Sequence, residues 1–180
     1  YNLGVIHYEL KDLKKAKNYL KKTTELQKNY GIAFFSLGNV HADLKEYYEA
    51  ISCYQKAIEI NSRIVGAHNN LGLTYRAVND LENAVKSYQS AIKLQPRHGG
   101  PYHNLALAYK ELGKFDKSIK SHQKAIECEP ENFAHYYYLS ELKKDILNLD
   151  LKSKVTKYLS SKNPKKKDSA FGNYLLAKYE

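Results

Sequence analysis

Side chains able to do chemistry are plentiful in this chain, but they do not gather into a reactive set. The seven histidines include no His-Glu-x-x-His pair, and His98 and His103 flank Gly99-Gly100-Pro101 with no acidic or cysteine neighbour to complete a set of metal ligands. No phosphate-cradling glycine loop, nucleophile elbow or dinucleotide fingerprint occurs. Gly99-Gly100 before Pro101 reads as a turn device at a helix start. The expectation is a chain with no catalytic residue, no metal and no cofactor. What does recur is an amide. Asn2, Asn70 and Asn104 fall at one phase of a regular spacing. An amide both donates and accepts hydrogen bonds, so a row of them along a groove can pair with the N–H and C=O groups of an extended peptide whatever its sequence.

The elements that position such a row follow a strict period. Leu3, Leu37, Leu71 and Leu105 stand 34 residues apart, the signature of a repeat array. Leu139 continues the series. In the repeat 65–98 the leucine is followed by Gly72, Tyr75, Ala84, Tyr88, Ala91 and Pro96. The repeat 99–132 places Ala106, Tyr109, Ser118, His122, Ala125 and Pro130 there, and the repeat 31–64 places Gly38, His41, Ala50, Tyr54, Ala57 and Ser62. Residues 1–30 keep Leu3, Gly4, His7, Ala16, Leu20 and Thr23 of the same series. His7, His41 and His122 thus occupy places that hold tyrosine elsewhere, which predicts packing roles for them.

Within each repeat the apolar residues follow helical spacing. Leu71, Thr74, Tyr75 and Val78 share one face of a first helix, and Leu81, Val85, Tyr88, Ala91 and Ile92 share one face of a second. Between them Asn79 is suited to a left-handed backbone and Asp80 to an N-cap. One repeat later Gly113 fits the position just past a helix end. Gly38, Gly72 and Ala106 leave room for close helix packing, as do Ala50, Ala57, Ala84, Ala91 and Ala125 on the second helices. Pro96 and Pro130 end those helices. A single helix pair cannot bury its apolar face, so the stack is the folding unit.

This pattern resembles the tetratricopeptide repeat, a 34-residue helix–turn–helix unit carrying a large residue, Leu-Gly, Tyr, Ala, Phe or Tyr, Ala and Pro in that order. Phe34 and Tyr102 fill the large-residue place, and His68 departs from it. The resemblance implies an all-α fold, a right-handed α-solenoid of antiparallel helix pairs. The repeats are 1–30 (N-terminally truncated), 31–64, 65–98, 99–132 and a degenerate, capping 133–166, with a C-terminal helix in 167–180. In the last repeat Lys152 and Thr156 stand where alanine and an aromatic stood. A lysine cannot enter a tight helix contact without burying an unpaired charge. The helix predicted over 150–161 is therefore expected to turn Leu151, Val155 and Leu159 inward at a shifted angle. Asn163 to Asp168, with Pro164, reads as a polar break. A further helix from Ser169 to Glu180 is expected to pack Phe171, Tyr174, Leu175 and the stem of Lys178.

In this family the first helices line the concave face. The resemblance thus implies a peptide-binding groove of Asn2, Phe35, Asn39, Asn69, Asn70, Leu73, Arg76, His103, Asn104, Leu107, Lys110 and Tyr138. The asparagines are similar to the asparagine ladder in the repeats of the eukaryotic enzyme that adds N-acetylglucosamine to serine and threonine, interrupted here by Ser36 and Tyr138. The family's clamp for the carboxylate tail of chaperones needs lysines and an arginine. Phe35 with Asn39, Asn69 with Leu73 and Gly100 with Asn104 do not supply them. Arg76, Arg97, His98, His103 and Lys110 make at most a loose patch for an acidic segment.

The net charge of +10 resides at the two ends. Residues 1–30 carry 7 basic and 3 acidic groups and residues 133–180 carry 10 and 5, against 12 and 11 in residues 31–132. Lysine-rich, arginine-poor ends read as solvated helix faces, and the pattern lacks the continuous basic stripe that nucleic acid requires. Cys53 and Cys128 lie more than two repeats apart, which argues against a disulfide and for a reducing, cytoplasmic setting. No apolar run reaches membrane-spanning length. The reading is a noncatalytic scaffold that holds a peptide segment of a partner protein in its concave groove. The alternative is the targeting arm of a larger enzyme, a glycosyltransferase or sulfotransferase, with its catalytic domain outside this fragment. Self-association through the end repeats is a further expectation.

Overall fold

A computed structural model describes residues 1–160 and 166–179. The chain divides into two compact units, Tyr1–Pro96 and Arg97–Glu180. The N-terminal unit holds α1 (Asn2–Glu9), α2 (Leu13–Leu26), α3 (Gly31–Asp43), α4 (Tyr47–Ile60), α5 (Val65–Ala77) and α6 (Leu81–Leu94). Each odd helix packs on the even helix that follows it, and α2 and α4 pack in turn on α3 and α5. The C-terminal unit holds α7 (Gly99–Glu111), α8 (Phe115–Cys128), α9 (Phe133–Ser140), a short 3₁₀ turn (Lys144–Ile146), α10 (Leu149–Leu159) and α11 (Lys166–Ala177). Among the described residues all regular structure is helical.

What sets the spacing inside a pair is one close approach. A Cβ added at Gly38 would lie 2.6 Å from the Tyr54 ring, and one at Gly72 would lie 2.5 Å from the Tyr88 ring. The glycine lets the backbone of the first helix rest on the flat of a tyrosine from the second. Both rings are buried, and each contributes roughly 1.5–3 kcal/mol by leaving water. Ala50, Ala57, Ala84 and Ala91 are fully buried beside them, as expected of small residues at a helix contact. In the repeat 99–132 the same two places hold Ala106 and His122. The added methyl is matched by a smaller ring, and Ser118 Oγ donates to the Ala106 carbonyl at 2.7 Å.

The turns within the pairs share one backbone conformation. Asn79 (φ 62°) and Gly113 (φ 70°) are left-handed, and the Asp80 carboxylate accepts from Asn83 N at 3.2 Å as an N-cap. Lys11 and Lys45 adopt the same conformation, at φ 62° and 61°. The sequence did not signal these two, because lysine has neither the freedom of glycine nor the local hydrogen bonding of asparagine. The repeat geometry imposes the turn regardless.

The last helices depart from the array. α9 is 8 residues long where α3, α5 and α7 have 13, and its main packing partner is α11. Phe133, Leu151, Val155 and Leu175 form the local core, and Lys152 and Thr156 point to solvent. The expected inward turn of Leu151 and Val155 is what the structure shows. Two expectations need correction. α11 begins at Lys166, not Ser169, so Lys166 to Asp168 are helical and not part of a polar break; residues 161–165, with Pro164, lie outside the described residues. Tyr174 packs only in part: its ring lies 5.9 Å from Tyr137 and 6.4 Å from Phe171 but is 60% exposed, whereas Leu175 is fully buried. The α10 bounds also differ slightly, Leu149–Leu159 against an expected 150–161.

Three stability outcomes are expected in urea titrations of the whole chain. Gly72→Ala drives a methyl into the Tyr88 ring and lowers stability by about 1–2 kcal/mol, since an overpacking cost of roughly 1–3 kcal/mol exceeds the helix preference of alanine. Gly113→Ala meets no atom within 4 Å and loses about 1 kcal/mol through backbone strain alone. Lys45→Gly, the reverse change, gains a comparable amount.

Candidate functional site

In the N-terminal unit the face made by the first helices carries a hollow of about 230 Å³, lined by Tyr8 of α1, Asn39, Ala42 and Asp43 of α3, Tyr54 of α4, and Asn70, Leu73 and Thr74 of α5. Its polar wall is built around Asn39. The Asn39 Oδ1 accepts from the Tyr54 hydroxyl at 2.8 Å and from Asn70 Nδ2 at 2.9 Å. Asn69 Nδ2 donates to Asn70 Oδ1 at 3.3 Å. The tyrosine that spaces α3 from α4 therefore also fixes the amide that lines the hollow. Burial lifts the Tyr54 phenol far above its ordinary value. Tyr8 is pushed up to about 12 by burial, then by its hydrogen bond to the Asp43 carboxylate and by that charge.

The structure brings Asn39, Asn70 and Leu73 together, with Asn69 behind Asn70. Phe35 lies beside them against the Tyr54 ring, at 6.1 Å between centroids. Asn2 is exposed on α1 and does not line the hollow. Arg76 follows Leu73 on α5, also outside it. Asp43 is the residue that sequence reasoning missed. Groove positions counted in steps of three reach Ala42, but one face of a helix includes i+4 as well as i+3, and Asp43 is four residues on from Asn39.

The C-terminal unit presents a different chemistry at the corresponding positions. His103 on α7 contacts the rings of His122, His135 and Tyr138, at centroid distances of 5.3, 5.2 and 5.0 Å. Tyr138 stacks parallel to His122 at 6.1 Å and meets Phe171 at 5.9 Å. Tyr137 lies 5.6 Å from Phe171 and carries the Lys178 ammonium 4.7 Å over its ring; that lysine also pairs with Glu141. Of the expected groove residues here, His103 and Tyr138 are joined. Asn104, Leu107 and Lys110 continue along α7, and the Lys110 charge acts on His122 of that cluster.

The histidines show how packing places acquire polar partners. His41 Nδ1 meets Glu46 Oε2 at 2.5 Å, and Glu46 also takes Lys17. His7 stands 3.8 Å from Asp12 and stacks on Tyr19. His135 Nε2 lies 3.2 Å from Glu129, whose other oxygen accepts from Gly99 N at 2.9 Å. Burial works against the Glu129 carboxylate, but hydrogen bonds from Asn132, His135 and Gly99 outweigh it and hold its pKa low. His122 is fully buried with neither ring nitrogen hydrogen-bonded. Burial, with the nearby His103, His135 and Lys110, lowers it to about 3. Among the described residues no group of three His, Cys, Asp or Glu side chains is placed to hold a metal, and no helix is long and apolar enough to cross a membrane. Cys53 and Cys128 are not joined in a disulfide, and burial pushes Cys53 up to about 11.

Family models for the tetratricopeptide repeat match residues 1–30, 30–97 and 101–132. The chain belongs to the tetratricopeptide repeat family, a class of helical-repeat protein-interaction scaffolds. A solved crystal structure of MamA is similar to it, with a TM-score of 0.77 at 20% identity over 98% of this chain and 94% of that one. A structure of MamA from residue 41 to the end, from Desulfovibrio magneticus RS-1, gives 0.76 at 18% identity over 99% and 92%. At such identities the likeness is one of fold alone. Curated protein sequences give no match.

The buried His122 predicts a pH dependence of stability. Its folded pKa lies below its unfolded value, so between about pH 6.5 and 3 the unfolded chain binds more protons. Its contribution is therefore intact above that window and is lost as pH falls through it, at a slope approaching 1.4 kcal/mol per pH unit. The difference in urea midpoint between the chain and His122→Leu should shift in favour of the variant from pH 6.5 to 4. Parallel pH profiles would show that His122 is not the group responsible.

Proposed function

We propose that the chain is a noncatalytic scaffold that holds an extended peptide segment of a partner protein along the face formed by its first helices. The observation that supports this reading is the hollow between α1, α3 and α5. Asn39 uses its oxygen for Tyr54 and Asn70, which leaves its amide hydrogens to meet a backbone carbonyl of a ligand. Leu73, 39% exposed, and Ala42 supply apolar wall beside it. Polar groups that are held in place before binding lose little freedom when a ligand arrives. The volume is below the roughly 300–1,000 Å³ of small-molecule sites, which suits a side chain of a longer ligand better than a free metabolite.

A second hollow, about 390 Å³, lies against α4 and α6 and is lined by Gln55, Ile58, Glu59, His68, Leu71, Lys86, Ser87 and Ser90. It supplies the control. Leu73→Lys places a long cationic side chain in the hollow at an exposed site that the fold tolerates, and should weaken peptide or partner capture at least about tenfold by occupying the space a ligand side chain would take. Gln55→Ala with Ser90→Ala on the other face should leave capture within about twofold, as for peripheral contacts. Capture on immobilised chain, read by biosensor, distinguishes the two. Loss on the α4/α6 face with an unaffected Leu73→Lys would place the binding surface there instead.

A further inference from the structure

We infer that the hollow between α1, α3 and α5 accepts a basic side chain, lysine or arginine, of the peptide held in the groove, with Asp43 as its counter-ion. This rests on the groove reading above and adds the chemistry of the ligand to it. Of the residues lining the hollow, Asp43 alone is charged. Asp12, Glu46 and Glu59 of the same unit each carry a lysine partner. Asp43 instead lines the hollow beside the Tyr8 phenol. A carboxylate offers about four acceptor positions, so one phenol leaves room for a guanidinium or ammonium.

The position of Asp43 adds a second argument. It is the last residue of α3, where the unsatisfied carbonyls give the helix end a partial negative charge. A carboxylate there works against the helix dipole, and an incoming cation relieves that repulsion as well as pairing with the carboxylate. The walls fit the rest of a basic side chain. Leu73 and Ala42 line the path of an aliphatic stem, and the Tyr8 ring offers an electron-rich face. Lys11 of the chain itself already places its ammonium 5.5 Å from the centre of that ring. The Asn39 amide lies one helical turn before Asp43, so a ligand carbonyl on Asn39 and a side chain on Asp43 fit neighbouring parts of one extended segment.

The test is an array of extended Gly/Ser/Ala peptides that differ only at a central residue, set to Arg, Lys, Gln, Leu or Glu. It is probed with the whole chain and its variants, and hits are titrated at low and raised salt. The wild type should prefer Arg- and Lys-centred peptides to the Gln-centred one by about five- to tenfold, a preference that shrinks as salt rises. Asp43→Asn should abolish the preference, and Asp43→Lys should turn it toward Glu. Asp43 is exposed, and unchanged far-UV spectra and melting temperature establish that both variants fold. Peptides that are lost on Leu73→Lys but show no basic preference, or keep it in Asp43→Asn, overturn this inference and leave the groove reading standing. Binding that survives Leu73→Lys overturns the groove reading and this inference with it.

Discussion

Each helix pair in the N-terminal unit hangs on the contact between a glycine on its first helix and one large side chain on its second. Gly4 against Leu20, Gly38 against the flat of the Tyr54 ring and Gly72 against that of Tyr88 set how near the two helices of a pair come. The fully buried alanines around them follow from that spacing, since no larger residue fits at the same separation. Once the distance within a pair is fixed, the apolar residues left on its outer side have one place to go, the neighbouring pair. The same logic explains the exchange at residues 106 and 122. A methyl appears on one helix and a smaller, polar ring on the other, and the pair keeps its hydrogen-bonded closure through Ser118.

The fold was legible because its information is periodic. One leucine period located the repeats, small residues at fixed places located the helix contacts, and Asn79, Asp80 and Gly113 located turns whose local chemistry is unmistakable. Legibility failed where structure is imposed from outside the segment. Lys11 and Lys45 take a left-handed backbone that nothing in a lysine favours, because the helices on either side leave the turn no alternative. α11 starts before its apolar residues do and replaces α10 as the main partner of α9. Neither follows from a pattern that counts apolar spacing within one segment.

The candidate site was partly legible for a different reason. Register along a helix names a face and the family resemblance named which face, so Asn39, Asn70 and Leu73 could be placed together. Register does not say how side chains on that face will satisfy one another. The asparagines bond to each other and to Tyr54, so the row is a braced wall and not a set of independent contacts. Nor does register decide between neighbours three and four residues along, which is why Asp43 escaped notice. In the C-terminal unit equivalent positions carry a ring cluster of His103, His122, His135 and Tyr138, so one backbone plan presents amides in one place and aromatic rings in another.

The Tyr54 hydroxyl joins these two levels of organisation. Its ring belongs to the helix spacing and its oxygen to the hollow. The residues lining that hollow are therefore not equally free to vary. Asn39 is tied through that hydroxyl to the core, so its replacement carries a folding penalty, and Asp43 stands beside the Tyr8 phenol, whereas Leu73 is exposed. Sequence drift has its cheapest route through Leu73, and the amide beside it is expected to be inherited along with the architecture.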